Sequence, residues 1–194
     1  MYACPEMVVA HQEPNRGPMT RAEYEALGRR GALEDARVEL LYGRLVSMSP
    51  QGEPHTYSVS QLMTLLVRAL GDRARVRVQA PFAAPDESEP EPDVAVVAPG
   101  DYLDGHPQAA LLVVEVAETS LARDRAKARL YAVAGVTEYW IVNLPEQVVE
   151  VHKQPGAEGY AAVSRHGRGE KLPLASFEDV ALGVDEILPP ARRP

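Results

Sequence analysis

An α/β domain whose sheet is covered on both faces is the fold this sequence predicts. Three observations point to it. Two runs, Asp93-Val-Ala-Val-Val-Ala98 and Leu111-Leu-Val-Val-Glu-Val-Ala117, are almost continuously apolar, as expected of strands with no solvated face. Leu62, Leu65, Leu66 and Ala69 recur at helical spacing. A second helix is predicted from a Ser120 cap to about Ala134, with Gly135 as its stop. The chain has 194 residues, 45% hydrophobic and 25% charged, which suits one domain with a sizeable core.

The remaining elements follow in chain order. Residues 1–18 carry Pro5, Pro14, Gly17 and Pro18 and are expected to form a loose arm. A helix is predicted to start at Thr20, with Glu23 completing a capping box, Tyr24 and Leu27 facing inward, and Gly28 or Gly31 ending it. Arg37-Val-Glu-Leu-Leu and Arg44-Leu-Val-Ser-Met, split by Tyr42-Gly43, predict a tight hairpin. A helix over 55–70 stops at Gly71. Val76 and Val78 alternate with arginines, as in a half-exposed strand. Glu138–Val142 and Val148–Val151 are predicted strands, and Tyr160–Ser164 a further one. The domain is expected to span 19–188, with a tail over 189–194.

Composition narrows the function. Twenty Lys and Arg against 28 Asp and Glu give a net charge of -8, which disfavours non-specific coating of nucleic acid or anionic membrane. One cysteine, Cys4, excludes an internal disulfide and a multi-cysteine zinc site. With no secretory segment and no apolar run long enough to span a bilayer, a cytoplasmic protein is expected. Serine-hydrolase elbows, phosphate-loop signatures and His-Glu-x-x-His zinc pairs are all missing from the sequence.

Five residues carry possible chemistry. Glu115 interrupts an apolar strand, where an isolated carboxylate is costly, so it is paired, neutral or cation-bound, or else lies at a partly exposed strand end. Asp93 opens the other apolar run after Pro92; it either converges with Glu115 on a hard cation such as Mg²⁺ or Mn²⁺, or caps the proline-rich turn. Glu39 is either a third acidic member or the polar face of an edge hairpin. Arg123 and Lys127 share one helical face with Tyr131, a cationic surface that either meets a phosphate or is merely solvated.

Together, Pro92-Asp93, Val-Val-Glu115-Val, Lys127 within Arg-Asp-Arg-Ala-Lys-Ala-Arg-Leu-Tyr, and Gly135-Val-Thr-Glu-Tyr-Trp resemble the Uma-two group of restriction endonucleases in the PD-(D/E)XK nuclease superfamily. The similarity runs in order from about Met19 to Val184. The resemblance implies a restriction-endonuclease-like core, a mixed β-sheet flanked by helices, with an N-terminal helix and β-hairpin. It implies that Asp93 and Glu115 bind the metal, with Glu39 as an additional acidic member. Lys127 stands in for the motif lysine, whose usual position two residues after the glutamate is Ala117 here. Tyr42 also departs from the group, which commonly has Asp there. The implied activity is Mg²⁺- or Mn²⁺-dependent hydrolysis of DNA, with a homodimer expected where both strands are cut. Arg75, Arg77, Arg123 and His55 are candidate substrate contacts, each also readable as structural. A non-catalytic nucleic-acid- or protein-binding module on the same fold is the rival reading. The basic stretches 68–77 and 123–129 flank the acidic 86–93 segment, so the negative total does not exclude DNA.

Overall fold

A computed structural model describes residues 17–34, 36–85 and 87–190; the expected arm over 1–18 and tail over 189–194 fall almost wholly outside them. Helix α1 (Arg21–Arg29) carries the capping box predicted at Thr20 and Glu23, and it buries Tyr24. The helix runs through Gly28, and the chain reverses at Gly31, with φ 73°. Strands β1 (Val38–Leu41) and β2 (Arg44–Ser47) pair antiparallel, with Leu41 opposite Arg44. Tyr42 and Gly43 both take positive φ, 51° and 71°, as a two-residue turn matched to strand twist requires. A Cβ at Gly43 would stand 2.5 Å from Pro18 Cβ, so the turn also needs glycine for space.

Helix α2 (Glu53–Leu70) begins two residues before its predicted start and ends at Gly71. After a short 3-10 turn come β3 (Arg75–Val78), β4 (Val94–Val97), β5 (Leu112–Ala117), α3 (Leu121–Val133), β6 (Glu138–Asn143), β7 (Val148–Gly156) and β8 (Gly159–His166). These six strands form one sheet in sequential order. Only β5 and β6 are parallel; their connection is α3, and every other neighbouring pair is antiparallel. The sheet is therefore mixed, and helices flank it.

Alternation along the central strands sends side chains to two cores. Val94, Val96, Val114 and Val116 meet Val59, Leu62, Leu66 and Leu70 of α2. Ala95, Val97, Val113, Tyr139 and Ile141 meet Leu130 and Tyr131 of α3. Val113, Glu115 and Ala117 thus share the α3 face, as the strand periodicity predicts. The C-terminal stretch adds β9 (Lys171–Leu174), β10 (Phe177–Gly183) and the single turn α4 (Val184–Ile187). These cover the α2 side of the core, and the sequence reading had not resolved them as strands. No helix among the described residues is long and apolar enough to cross a membrane.

Candidate active site

Strand register builds the site. Val94 lies opposite Val114 in the antiparallel β4–β5 pair, so the preceding Asp93 falls level with Glu115 on the α3 side. The two are in contact: the Asp93 N–H faces Glu115 Oε2 at 3.4 Å, and the Val116 N–H donates to Asp93 Oδ2 at 2.8 Å. Asp93 is therefore not simply a turn cap. Both carboxylates are buried, as is Glu39, which is only 1% exposed. The edge reading of Glu39 does not hold, because all four β1 residues are buried and the 87–91 loop covers them through backbone bonds at Leu40.

Helix α3 brings the cation. Lys127 Nζ lies 2.8 Å from Glu39 Oε2 and 3.1 Å from Glu115 Oε1, and Tyr131, four residues on, donates its hydroxyl to Glu115 Oε1 at 2.8 Å. One ammonium thus joins the hairpin, the central strand and the helix, across sequence separations of 88 and 12 residues. Helix α2 contributes His55, whose Nε2 is 3.1 Å from Asp93 Oδ2. Arg123 lines the same cavity and donates to the Ser47 carbonyl at 2.8 Å. Arg75 and Arg77 are not among the lining residues. Arg77 instead donates to the Pro81 carbonyl and lies over the Tyr102 ring, while Arg75 is exposed on β3.

Three lining carboxylates, Asp124, Glu91 and Glu118, are not singled out by the sequence. Asp124, only 3% exposed, faces the cavity beside Lys127, and Glu91 donates its N–H to Glu39 Oε2. Asp124 stands between Arg123 and Arg125, three residues before Lys127, where a charged helix face is the simpler reading. Ser120 precedes α3 as expected, but its hydroxyl makes no cap bond and donates to Asp124 Oδ2 at 2.5 Å instead.

Charge in the cavity is unbalanced. Six carboxylates line it against two cations, Arg123 and Lys127. Burial, with help from Asp124, Asp93 and Glu39, outweighs Lys127 and pushes Glu115 up to about 8. Burial likewise pushes Asp124 up to about 6. Burial alone would lower the Lys127 ammonium, but Glu115, Glu39 and Asp124 overcome it and hold the group above its ordinary value. Lys127 is therefore a fixed positive charge here.

The cavity volume is about 60 Å³, room for a few waters. Among the described residues no group of three or more His, Cys, Asp or Glu side chains is arranged to hold a metal. Asp93 and Glu115 form a two-carboxylate set, which fits Mg²⁺, an ion commonly held by one or two carboxylates with waters and substrate phosphate completing its shell. The surplus of buried carboxylate fits a cation as well.

The family model of Uma2, described as "Putative restriction endonuclease", matches residues 21–185. Among solved structures, the chain is similar to "a putative nuclease belonging to DUF820 from Anabaena variabilis ATCC 29413", with a TM-score of 0.69 and 17% identity over 88% of this chain and 97% of that one. At that identity the likeness speaks for the fold alone. No curated protein matches the chain in sequence.

Proposed function

The chain belongs to the Uma2 family, and on that premise we propose that it is a divalent-metal-dependent nuclease hydrolysing DNA phosphodiester bonds. One observation carries the reading: Lys127 bridges Glu39 and Glu115 while Asp93 abuts Glu115, inside a cavity too acidic to be satisfied by its own cations. Asp93 and Glu115 would hold Mg²⁺ or Mn²⁺, which supplies Lewis-acid polarisation of a phosphoryl oxygen and a more acidic bound water.

The protein's own groups do the rest. Lys127 keeps its proton, so it acts by donating hydrogen bonds and by stabilising negative charge as it develops on the phosphate. Glu39 and Tyr131 hold the ammonium and the Glu115 carboxylate in place, and Glu39 is the additional acidic member. Arg123, at the cavity wall, is the candidate phosphate contact. Arg75 and Arg77 would meet DNA only away from the reacting phosphate. A homodimer is the proposed assembly for cutting both strands, and light scattering checks it.

The test is an Mg²⁺ and Mn²⁺ titration on supercoiled, linear, branched and single-stranded DNA. Wild type should cleave at least one form, with EDTA abolishing activity and Asp93→Asn lowering the rate about 10²-fold or more. No cleavage by wild type, together with metal binding unaffected by Asp93→Asn, rejects the assignment. DNA binding without turnover would favour the rival binding module.

A further inference from the structure

A carboxylate offers two oxygens and about four lone-pair positions; in this cavity the protein has already taken half of them. Asp93 Oδ2 accepts both the Val116 N–H at 2.8 Å and the His55 ring at 3.1 Å, whereas Oδ1 accepts nothing among the described residues. Glu115 Oε1 accepts Lys127 and Tyr131, whereas Oε2 has only the 3.4 Å approach of the Asp93 N–H. One oxygen of each carboxylate is pinned and the other is left over.

We infer that His55 is a positioning residue: its Nε2 pins Asp93 Oδ2 and so presents Oδ1 to a divalent cation. The imidazole itself has nothing to offer a substrate. Nε2 is engaged with Asp93, and Nδ1 is sealed from solvent with no partner in a ring 8% exposed. A hydrogen on Nδ1 would be a buried, unsatisfied donor, so the hydrogen sits on Nε2 and is donated to the carboxylate. Without that bond Oδ2 keeps only the Val116 N–H, and the carboxylate is free to turn about its terminal torsion. A hydrogen bond to the far oxygen of a ligating carboxylate fixes which way the carboxylate faces.

The inference rests on the nuclease reading only through its two-carboxylate cation site, so its test is metal binding. Mn²⁺ affinity is measured by calorimetry on wild type, His55→Phe and His55→Gln, alongside thermal unfolding without metal. His55→Phe should weaken Mn²⁺ binding about 10- to 100-fold. The Gln amide places a donor close to the imidazole Nε2 position, so His55→Gln should stay within about threefold of wild type. If the Phe variant does not fold, His55→Asn, whose amide falls short of Asp93, takes its place. A lowered melting temperature with unchanged Mn²⁺ affinity would make His55 merely structural and overturn the inference; so would a Gln variant as weak as Phe. Failure of wild type to bind Mn²⁺ removes both the inference and the cation site. Normal binding that depends on His55, with no DNA cut, removes the nuclease reading and leaves this one standing.

Discussion

Helix α3 is tied to the sheet by two ion-pair assemblies only two residues apart, and they are opposites. On one side Arg125 grips Glu150 through Nε and Nη2, and Asn143 adds a further donor. One cation meets one carboxylate, and the Arg125 hydrogen bonds hold Glu150 below its ordinary range despite burial. On the other side Lys127 is shared by Glu39 and Glu115, with Asp124 and Asp93 close by, and the carboxyl groups of Glu115 and Asp124 rise. A matched pair has finished its chemistry internally. A mismatched one retains acceptor capacity that a cation or substrate can use. The imbalance separates a candidate site from a structural clamp on the same helix.

Removing Lys127 should break this comparison most severely. Lys127→Met leaves Glu39 and Glu115 buried without their cation, at a cost of roughly 3 kcal/mol near neutral pH. Cleavage should fall at least about 10²-fold as the fixed charge disappears. The sign of the pH dependence follows from raised carboxyls. The folded state then binds more protons than the unfolded chain above about pH 4.5, so stability declines as pH rises. Urea unfolding at pH 5 and 7.5 should show a smaller penalty at pH 5; an equal penalty at both would mean the carboxylates are not under strain.

Glu89 offers a mismatch outside the cavity and a smaller effect. It is 4% exposed, its Oε2 has no hydrogen-bond partner among the described residues, and His106 Nε2 approaches Oε1 only to 3.8 Å. Burial first, then Glu25, pushes it up to about 7 from an ordinary 4.5. Its contribution is fully present below pH 4.5 and is lost as pH rises through 7. Glu89→Gln should remove roughly 2 kcal/mol of that decline. Parallel stability profiles for variant and wild type between pH 4.5 and 7.5 would contradict this.

Much of this arrangement was legible in the sequence because local chemistry and global fold agree there. Tyr42-Gly43 specified a two-residue turn, Thr20 and Glu23 a capping box, and the apolar runs the two central strands. The isolated Glu115 marked the site, since a lone carboxylate in such a run needs a partner. What was less legible depends on distance. Whether Glu39 lies at an edge is decided by the 87–91 loop that covers it, and no periodicity reports that. Arg75 and Arg77 alternate correctly but on an edge strand away from the cavity. Lys171–Leu174 is short and contains Pro173, so β9 and β10 gain strand character from pairing with each other and packing on the α2 core. Asp124 was hidden among arginines, where a charged helix face was the simpler reading.

The smallest effect belongs to the matched pair. Arg125 is 48% exposed, so solvent screens its attraction, and Arg125→Met should cost only about 1 kcal/mol. Glu150 is held low, so in wild type its contribution is present above its unfolded value of 4.5 and is lost as pH falls through the lower folded value. Losing Arg125 should therefore flatten the acid limb of the stability profile, whereas Glu89→Gln flattens the limb above pH 4.5. Helix α3 remains anchored by Tyr139 donating to the Asp124 carbonyl at 2.9 Å and by buried Leu130 and Tyr131. Cleavage and Mn²⁺ affinity should consequently change no more than about threefold, roughly 0.65 kcal/mol. A loss of cleavage as deep as that of Lys127→Met would show that the clamp takes part in the chemistry, and charge balance would no longer distinguish the two sides of α3.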